Sequence, residues 1–330
     1  MPLWKRLCNA YRECSFTDNR QNIMGKIITV AGATGNIGTR LVRALAGQGA
    51  TVRTLVREST KAEARTELER LGAQIVPVDM NNAAVLAASL EGSEGVVSTL
   101  SGLRDVIVDM QSKLLDAAVA AKVPRFIASD FACDFTRLDD GENRNFDLRR
   151  EFNQRLDKAP IAGTSIFNGG FADMLLSGHG PFFDIANRRV QYWESPDQAM
   201  DFTTMDNVAH YTALAALDPS APRALRIAGD VVSARDMAAF ATEISGVEFS
   251  LFRLGTADEL ARRIRDARAA DPESENEVFP VFQQMQYMHN MFSGRAKMLH
   301  LDNVRYASMR WTTLRDLLAE SDGLKGLSGR

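Results

Sequence analysis

Lys26-Ile27-Ile28-Thr29-Val30-Ala31-Gly32-Ala33-Thr34-Gly35-Asn36-Ile37-Gly38 decides the fold. A short β-branched run leads into glycines at three-residue spacing. An amphipathic stretch follows, with Ile37, Leu41 and Leu45 on one face and Gly47 and Gly49 near its end. Strand, tight turn and helix in that order form the first half of a βαβ unit. These residue types suit a dinucleotide pyrophosphate, which needs bare backbone N–H groups at a helix N-terminus, where the helix dipole favours negative charge. Side chains at Gly32 and Gly35 would block that approach, and one at Gly38 would push the helix off the sheet. Thr34, Asn36 and Ile37 complete the expected cradle. The spacing is G-x-x-G-x-x-G rather than the commoner G-x-G-x-x-G, so the reading rests on its place between strand and helix.

The next strand, Thr51-Val52-Arg53-Thr54-Leu55-Val56, ends in Arg57, and Lys61 lies four residues on. An acid at this strand end would hold the ribose 2′-OH of NAD, whereas a cation suits the 2′-phosphate of NADP. Arg57 and Lys61 therefore favour NADP(H) over NAD(H), although Glu58 follows the arginine and both cations could instead be solvated surface charges.

The chain has 330 residues and a net charge of −3, enough for one globular unit of two lobes around a cofactor. Without a long basic run, nucleic acid and anionic membrane are not expected partners, and no apolar stretch approaches membrane-spanning length. The three cysteines, Cys8, Cys14 and Cys133, lack C-x-x-C spacing, and the four histidines, His179, His210, His289 and His300, lack metal-ligand spacing. No metal is expected. Residues 1–24 carry charges throughout and no uninterrupted apolar core, so they read as an extension or as a start placed too early, not as a secretory signal. The expected location is cytoplasmic.

Beyond the second strand, a helix is expected over 61–71. A strand at 74–78 ends at Asp79 and is marked as an edge or irregular strand by Pro77. A helix over 83–90, a strand at 95–99, a helix over 106–121 and a strand at 125–129 follow. Alternation of this kind implies an α/β fold, a Rossmann-type doubly wound parallel sheet. Ligands in such sheets bind beyond the carboxyl ends of the strands. Asp79, Ser98 and Ser129 join the glycine turn as expected cofactor contacts on that ground. Strands at 164–167 and 225–228, with a helix over 206–217 between them, return to the same sheet. The arm 189–193 reads as part of a hairpin, and Ser233 with Asp236 and Thr256 with Glu259 are capping-box pairs. The expected organisation is a dinucleotide domain over 25–174 and a smaller, interrupted C-terminal lobe over 175–330 that covers the nicotinamide end.

These residues resemble the NmrA-like branch of the atypical short-chain dehydrogenase/reductases, which includes isoflavone reductases and phenylcoumaran benzylic ether reductases. The glycine turn matches, as does Leu55-Val56-Arg57-Glu58-Ser59-Thr60 at the strand end. Arg125-Phe126-Ile127-Ala128-Ser129-Asp130-Phe131 is similar to the family's R-F-x-P-S-E-F segment. Phe167-Asn168-Gly169-Gly170-Phe171 falls where the family has a turn near the nicotinamide, and Asp201-Phe202-Thr203 before Asp206-Asn207-Val208-Ala209 also fits. The resemblance covers residues 25–320 and implies an NADPH-dependent reductase of a small conjugated carbonyl or quinone. Some members are instead non-catalytic dinucleotide sensors that act through a protein partner.

One departure bears on the chemistry. None of the five tyrosines has a lysine four residues on, so the Tyr-x-x-x-Lys pair of ordinary short-chain dehydrogenases is missing. The plant reductases place a lysine in a Phe-Glu-Ile-Lys-like stretch, and the matching residues here are Phe146-Asp147-Leu148-Arg149. Arginine stays charged at ordinary pH and cannot act as a titrating base, which leaves Arg149 an orienting or electrostatic role. A quinone needs little acid help, because its reduced form is a stabilised anion. Asp130 and Asp134 share a strand-exit loop, with Asp130 the candidate for proton transfer. Asn168 is a candidate amide contact or a turn former. Cys133 reads first as a small buried hydrophobe. The run 279–292, dense in methionine and aromatics, reads as a core helix or as a wall for a flat hydrophobic substrate, with His289 a remote proton-donor candidate.

Overall fold

In a computed structural model that describes residues 25–176 and 182–327, seven strands form one parallel sheet. The expected extension over 1–24, with Cys8 and Cys14, lies outside the described residues, as does His179.

The first half alternates as its sequence pattern requires. β1 (Ile27–Ala31), α1 (Asn36–Gly47), β2 (Thr51–Val56), α2 (Ala62–Arg70), β3 (Gln74–Pro77), α3 (Ala83–Leu90) and β4 (Ser93–Ser98) follow one another. The helix expected over 106–121 begins differently, as a π-helical turn over Asp105–Met110 that continues into α4 (Gln111–Ala120). β5 (Arg125–Ile127) stops short of Ser129, which sits in the exit loop. α5 (Arg144–Leu156) has no counterpart in the sequence reading. Its polar composition hides a narrow apolar stripe of Phe146, Phe152 and Leu156.

β6 (Ala162–Phe167) and β7 (Gly170–Phe171) come next, then β8 (Phe183–Asp184), β9 (Arg189–Trp193) and β10 (Met200–Thr203). α6 (Met205–Leu217) and β11 (Ala224–Arg226) return to the large sheet, as expected for these two segments. β12 (Asp230–Val232), α7 (Ala234–Ser245), β13 (Ser250–Gly255), α8 (Ala257–Ala270), α9 (Val281–Phe292), α10 (Leu314–Ala319) and α11 (Asp322–Lys325) follow among the described residues. The capping boxes Ser233–Asp236 and Thr256–Glu259 both form, opening α7 and α8.

The large sheet runs β11-β6-β5-β4-β1-β2-β3. Strand order reverses between β1 and β4, the topological switch point of a doubly wound fold. β3, with Pro77, is one edge strand, and β11 is the other. Leu41 and Leu45 of α1, Leu68 of α2 and Val208 of α6 cover one face of the sheet. Leu86 of α3, Leu114 of α4 and Phe152 of α5 cover the other.

Two smaller three-stranded sheets lie in the second half, β12-β10-β7 and β13-β9-β8. The 189–193 arm is therefore more than a hairpin: β9 pairs antiparallel with β8 and parallel with β13. The core of this half also takes in Phe135, Leu138 and Phe146 from the first half, so the two halves pack as one body. At the β11 edge, the Arg226 N–H donates to Asp302 Oδ2 at 2.8 Å and the Asp302 N–H to Arg226 O at 2.6 Å. That contact covers an edge that would otherwise invite pairing with another chain. Among the described residues no helix is long and apolar enough to cross a membrane.

Candidate functional site

The glycine turn sits at the switch point. Ala31 and Ser98 are in register on β1 and β4, and the Thr99 N–H and hydroxyl both donate to Ala31 O, at 2.8 and 2.9 Å. Gly32 has φ +84°, and a Cβ there would lie 2.7 Å from Thr99 O, so conformation and space both demand glycine. A Cβ on Gly38 would lie 2.2 Å from Gly32 O and 2.7 Å from Ala33 Cα, which is how closely α1 approaches the strand.

Gly35 differs from both. Its backbone has an ordinary extended conformation at φ −78°, and a Cβ would meet only Gly32 O, at 3.3 Å. The fold hardly needs glycine there. What a side chain would obstruct is the space outside, where Thr34, Gly35 and Asn36 are exposed. Gly35 is the N-cap of α1 and supplies no side-chain cap. Intrahelical bonding begins with Thr39 N–H to Gly35 O at 2.9 Å, so the amides of Asn36, Ile37 and Gly38 precede it. An anion-binding end of this kind fits a pyrophosphate.

Arg57 leaves the end of β2, and Lys61 is the N-cap of α2; both are exposed, and neither has an ion pair among the described residues. The sequence reading missed Arg65. Its guanidinium donates to three carbonyls of the intervening turn: Arg57 O at 3.1 Å, Glu58 O at 2.5 Å and Thr60 O at 3.1 Å. The signal was present, a cation one helical turn beyond Lys61. Arg65 fixes the loop that presents Arg57.

The remaining strand-exit residues have local work. Asp79 is exposed, and its Oδ1 accepts the Asn81 N–H at 2.9 Å, holding a turn. Ser98 is fully buried, with its Oγ unpartnered among the described residues. Ser129 donates its N–H to Gln111 Oε1 at 2.9 Å and its hydroxyl to Leu100 O at 2.7 Å. Its side chain thus ties the β4 and β5 exits together. Gln111, missed from sequence because it sits inside a helix, is itself buried.

Arg149 reaches this rim from α5. Its Nε donates to Ser129 O at 3.2 Å and its Nη1 to Asn145 O at 2.9 Å. Asp130 points the other way. One carboxylate oxygen accepts from Ser165 Oγ at 2.6 Å and Asn153 Nδ2 at 2.9 Å, and the second has no partner among the described residues. Burial raises its pKa. Arg223 closes the same bracket through Ser165 and Asn153, both at 2.7 Å. Asp130 and Arg149 therefore belong to different networks. Asn168 is buried, with Nδ2 on Gly169 O at 3.1 Å and its backbone carbonyl accepting from Thr203 Oγ1 at 2.7 Å. Asp134 caps a short 3-10 turn and pairs with Arg226 at 2.6 Å. Burial pushes the Cys133 thiol up to about 12, which makes it an inert core group.

Within the 279–292 run, Val281–Phe292 form the helix α9, and it turns a buried face to the core as the core-helix reading expects. Gln283, Gln286 and Asn290 are buried on it beside Phe282, Met291 and Phe292. These polar groups meet the N-terminus of α5. Gln286 Oε1 accepts the Arg144 N–H at 3.2 Å, Gln283 Oε1 the Asn145 N–H at 3.3 Å, and Asn290 Oδ1 accepts from Asn143 Nδ2 at 3.0 Å. Orphan amides of α5 are thus satisfied by another helix. Tyr287 lies on the same helix and accepts from Asn145 Nδ2 at 3.1 Å. His289 is half-buried, which lowers its pKa.

Pinoresinol reductase 1 of Arabidopsis thaliana is 28% identical over 205 residues, 58% of this chain and 65% of that protein. The chain thus spans about 65% of the length of the first curated relatives it matches. A solved structure of AtPrR2 with NADP+ and (+)pinoresinol superposes with a TM-score of 0.77 at 20% identity, covering 89% of this chain and 98% of that one. An NADPH-dependent quinone oxidoreductase from Escherichia coli gives 0.66 at 19% identity over 88% of this chain and 98% of the other. These two likenesses concern the fold. Residues 24–293 match the model of the NmrA-like family, and with most of its length inside that match the chain belongs to this family.

Proposed function

We propose that the protein binds NADP(H) and reduces a small conjugated carbonyl or quinone in the cytoplasm. The observation that carries the reading is the contrast within the glycine turn. Gly32 and Gly38 are required by the fold itself, while Gly35 leaves open a helix N-terminus that the fold does not fill. A pyrophosphate placed there would meet the Asn36, Ile37 and Gly38 amides. Arg57, on a loop braced by Arg65, with Lys61 beside it, would take the 2′-phosphate. The names of relatives and structural neighbours point the same way: they include reductases, and some of the solved structures hold NADP+ or NADPH.

A reduced nicotinamide, when bound, supplies hydride; the protein supplies position and electrostatics. Arg149 offers fixed positive charge near the β5 exit, where oxyanion character on an acceptor would develop. Calorimetric titration with NADPH and NADH, followed by NADPH oxidation with a panel of quinones and enones, tests the reading. Tighter NADPH binding and turnover are expected. Tight binding with no turnover on any acceptor would refute the reductase and leave a dinucleotide sensor.

A further inference from the structure

A continuous line of contacts crosses the carboxyl end of the sheet. It starts at Gly32, packed against Thr99, and passes through Leu100 O to Ser129, from Ser129 O to Arg149, and from Arg149 to Asn145. At its far end, Asn145 Nδ2 donates to Tyr287 Oη. Every link but the last lies on the rim where ligands of doubly wound folds bind. Tyr287 joins the end of this line from α9, 138 residues beyond Arg149 in the chain. Its ring packs against Phe146 at a tilt of 60° with centroids 5.2 Å apart, which fixes it on the same turn of α5. Because the hydroxyl oxygen accepts from Asn145, its hydrogen is free to point elsewhere, and no acceptor for it occurs among the described residues.

We propose that Tyr287 is the proton donor of the reduction, with Asn145 and Arg149 supporting the phenolate it leaves; this rests on the reductase reading above. As a conjugated carbonyl or quinone accepts hydride from a reduced nicotinamide dinucleotide, its carbonyl π electrons move onto oxygen. The Tyr287 O–H bond breaks, an O–H bond forms on the acceptor oxygen, and the phenolate electrons stay on Tyr287 until water returns the proton. The phenolate keeps the Asn145 hydrogen bond and gains from the guanidinium charge of Arg149, which is bonded to the same Asn145 through its backbone carbonyl. Burial holds the phenol above its ordinary range, so it is protonated at the start of the cycle. A tyrosine and a cation thus meet by tertiary packing, where ordinary short-chain dehydrogenases place them four residues apart on one helix.

The test compares wild type with Tyr287→Phe on two acceptor classes. An enone, whose enolate must be protonated, should lose about 100-fold or more in kcat. An electron-poor quinone, whose hydroquinone anion is stable in water, should lose little. NADPH affinity by calorimetry should not change. A second readout needs no turnover: a planar hydroquinone titrated onto the NADP+-loaded protein should bind roughly 3- to 10-fold more weakly to the variant. If Tyr287→Phe does not fold, Tyr287→Met, which removes the hydroxyl while filling the site with a flexible apolar side chain, serves instead and should show the same acceptor bias. Equal losses on both classes, or none, with wild type active would overturn the proposal alone. Wild type inactive with every acceptor would overturn both the proposal and the reductase reading.

Discussion

Gly35 and Gly38 are three residues apart, yet substitution should damage two different properties. At Gly38 an added Cβ would lie 2.2 Å from Gly32 O and 2.9 Å from Ala33 C, all rigid backbone. Helix and strand must separate, an overpacking cost of about 1–3 kcal/mol or more. For a chain of this size each kcal/mol lowers Tm by roughly 2–4 °C. At Gly35 the added Cβ meets one backbone oxygen at 3.3 Å, and the local φ of −78° suits any L-residue. The entropic benefit of Gly→Ala at a compatible site, about 0.4–1 kcal/mol, offsets that mild contact. Tm of Gly35→Ala should therefore stay near wild type. Its methyl group nevertheless projects toward the proposed pyrophosphate position. Loss of one charge-assisted amide contact costs about 1.5–3 kcal/mol, which corresponds to roughly 10- to 150-fold in Kd. Thermal unfolding and calorimetric titration with NADPH on both variants separate the effects. A Gly35→Ala protein that is stable and binds NADPH like wild type would refute the placement of the pyrophosphate.

Cofactor selectivity should reside in Arg57: wild type should bind NADPH more tightly than NADH, and Arg57→Ala should shrink the gap. Arg65→Gln should shrink it too, by releasing the Arg57–Thr60 turn, and equal wild-type affinities would refute both. Arg149→Met should weaken reduction by about 1–3 kcal/mol in kcat/KM without abolishing it, the scale of a hydrogen bond to a charged group; complete loss with NADPH affinity intact would make Arg149 essential to the chemistry. Burial alone would raise Asp218, but hydrogen bonds from Ser220, Arg305 and Tyr306 outweigh it and bring it down to about 2. Its ionised form therefore stabilises the fold fully above the unfolded value of 3.8, and the contribution fades as pH falls through about 2. The Asp218→Asn stability deficit, measured by denaturant titration, should follow that window; a deficit that is flat with pH would exclude the carboxylate as its source.

The large sheet was legible because its signals are local. β-branched runs, glycines and capping pairs each act within a few residues, and they placed β1, α1, α6 and both capping boxes. α5 was not legible. Its stripe of Phe146, Phe152 and Leu156 is narrow, and its N-terminus is satisfied by Gln283 and Gln286 from a helix some 140 residues away. The same contact accounts for the buried glutamines of α9, which its core-helix reading did not single out. A glutamine buried among methionines looks like an exposed position until its partner, a bare helix amide, is known. Tyr287 escaped a search confined to i, i+4 spacing for a related reason: its neighbours Asn145 and Phe146 are close only in three dimensions. The roles of Ser98, Ser129 and Asp79 were inferred from strand ends alone, and that argument fixes a place without fixing which atom faces outward.

The arginine at position 149 is the point where sequence and structure constrain each other most. A lysine there would offer one point charge on a flexible stem. The guanidinium instead donates to two backbone carbonyls, Ser129 O and Asn145 O, so it is fixed between the β5 exit and the first turn of α5. Nη2 has no partner among the described residues, which leaves a held charge with one face free. Such a group is suited to charge that develops on a neighbouring oxygen and unsuited to proton transfer. The proton must then come from elsewhere. The residue that bonds Arg149 through its carbonyl, Asn145, bonds Tyr287 through its amide, so charge and hydroxyl are held by a single side chain and its own backbone. A chain that replaced the family's lysine without such a second group would keep quinone reduction and lose the reduction of acceptors whose products are strong bases.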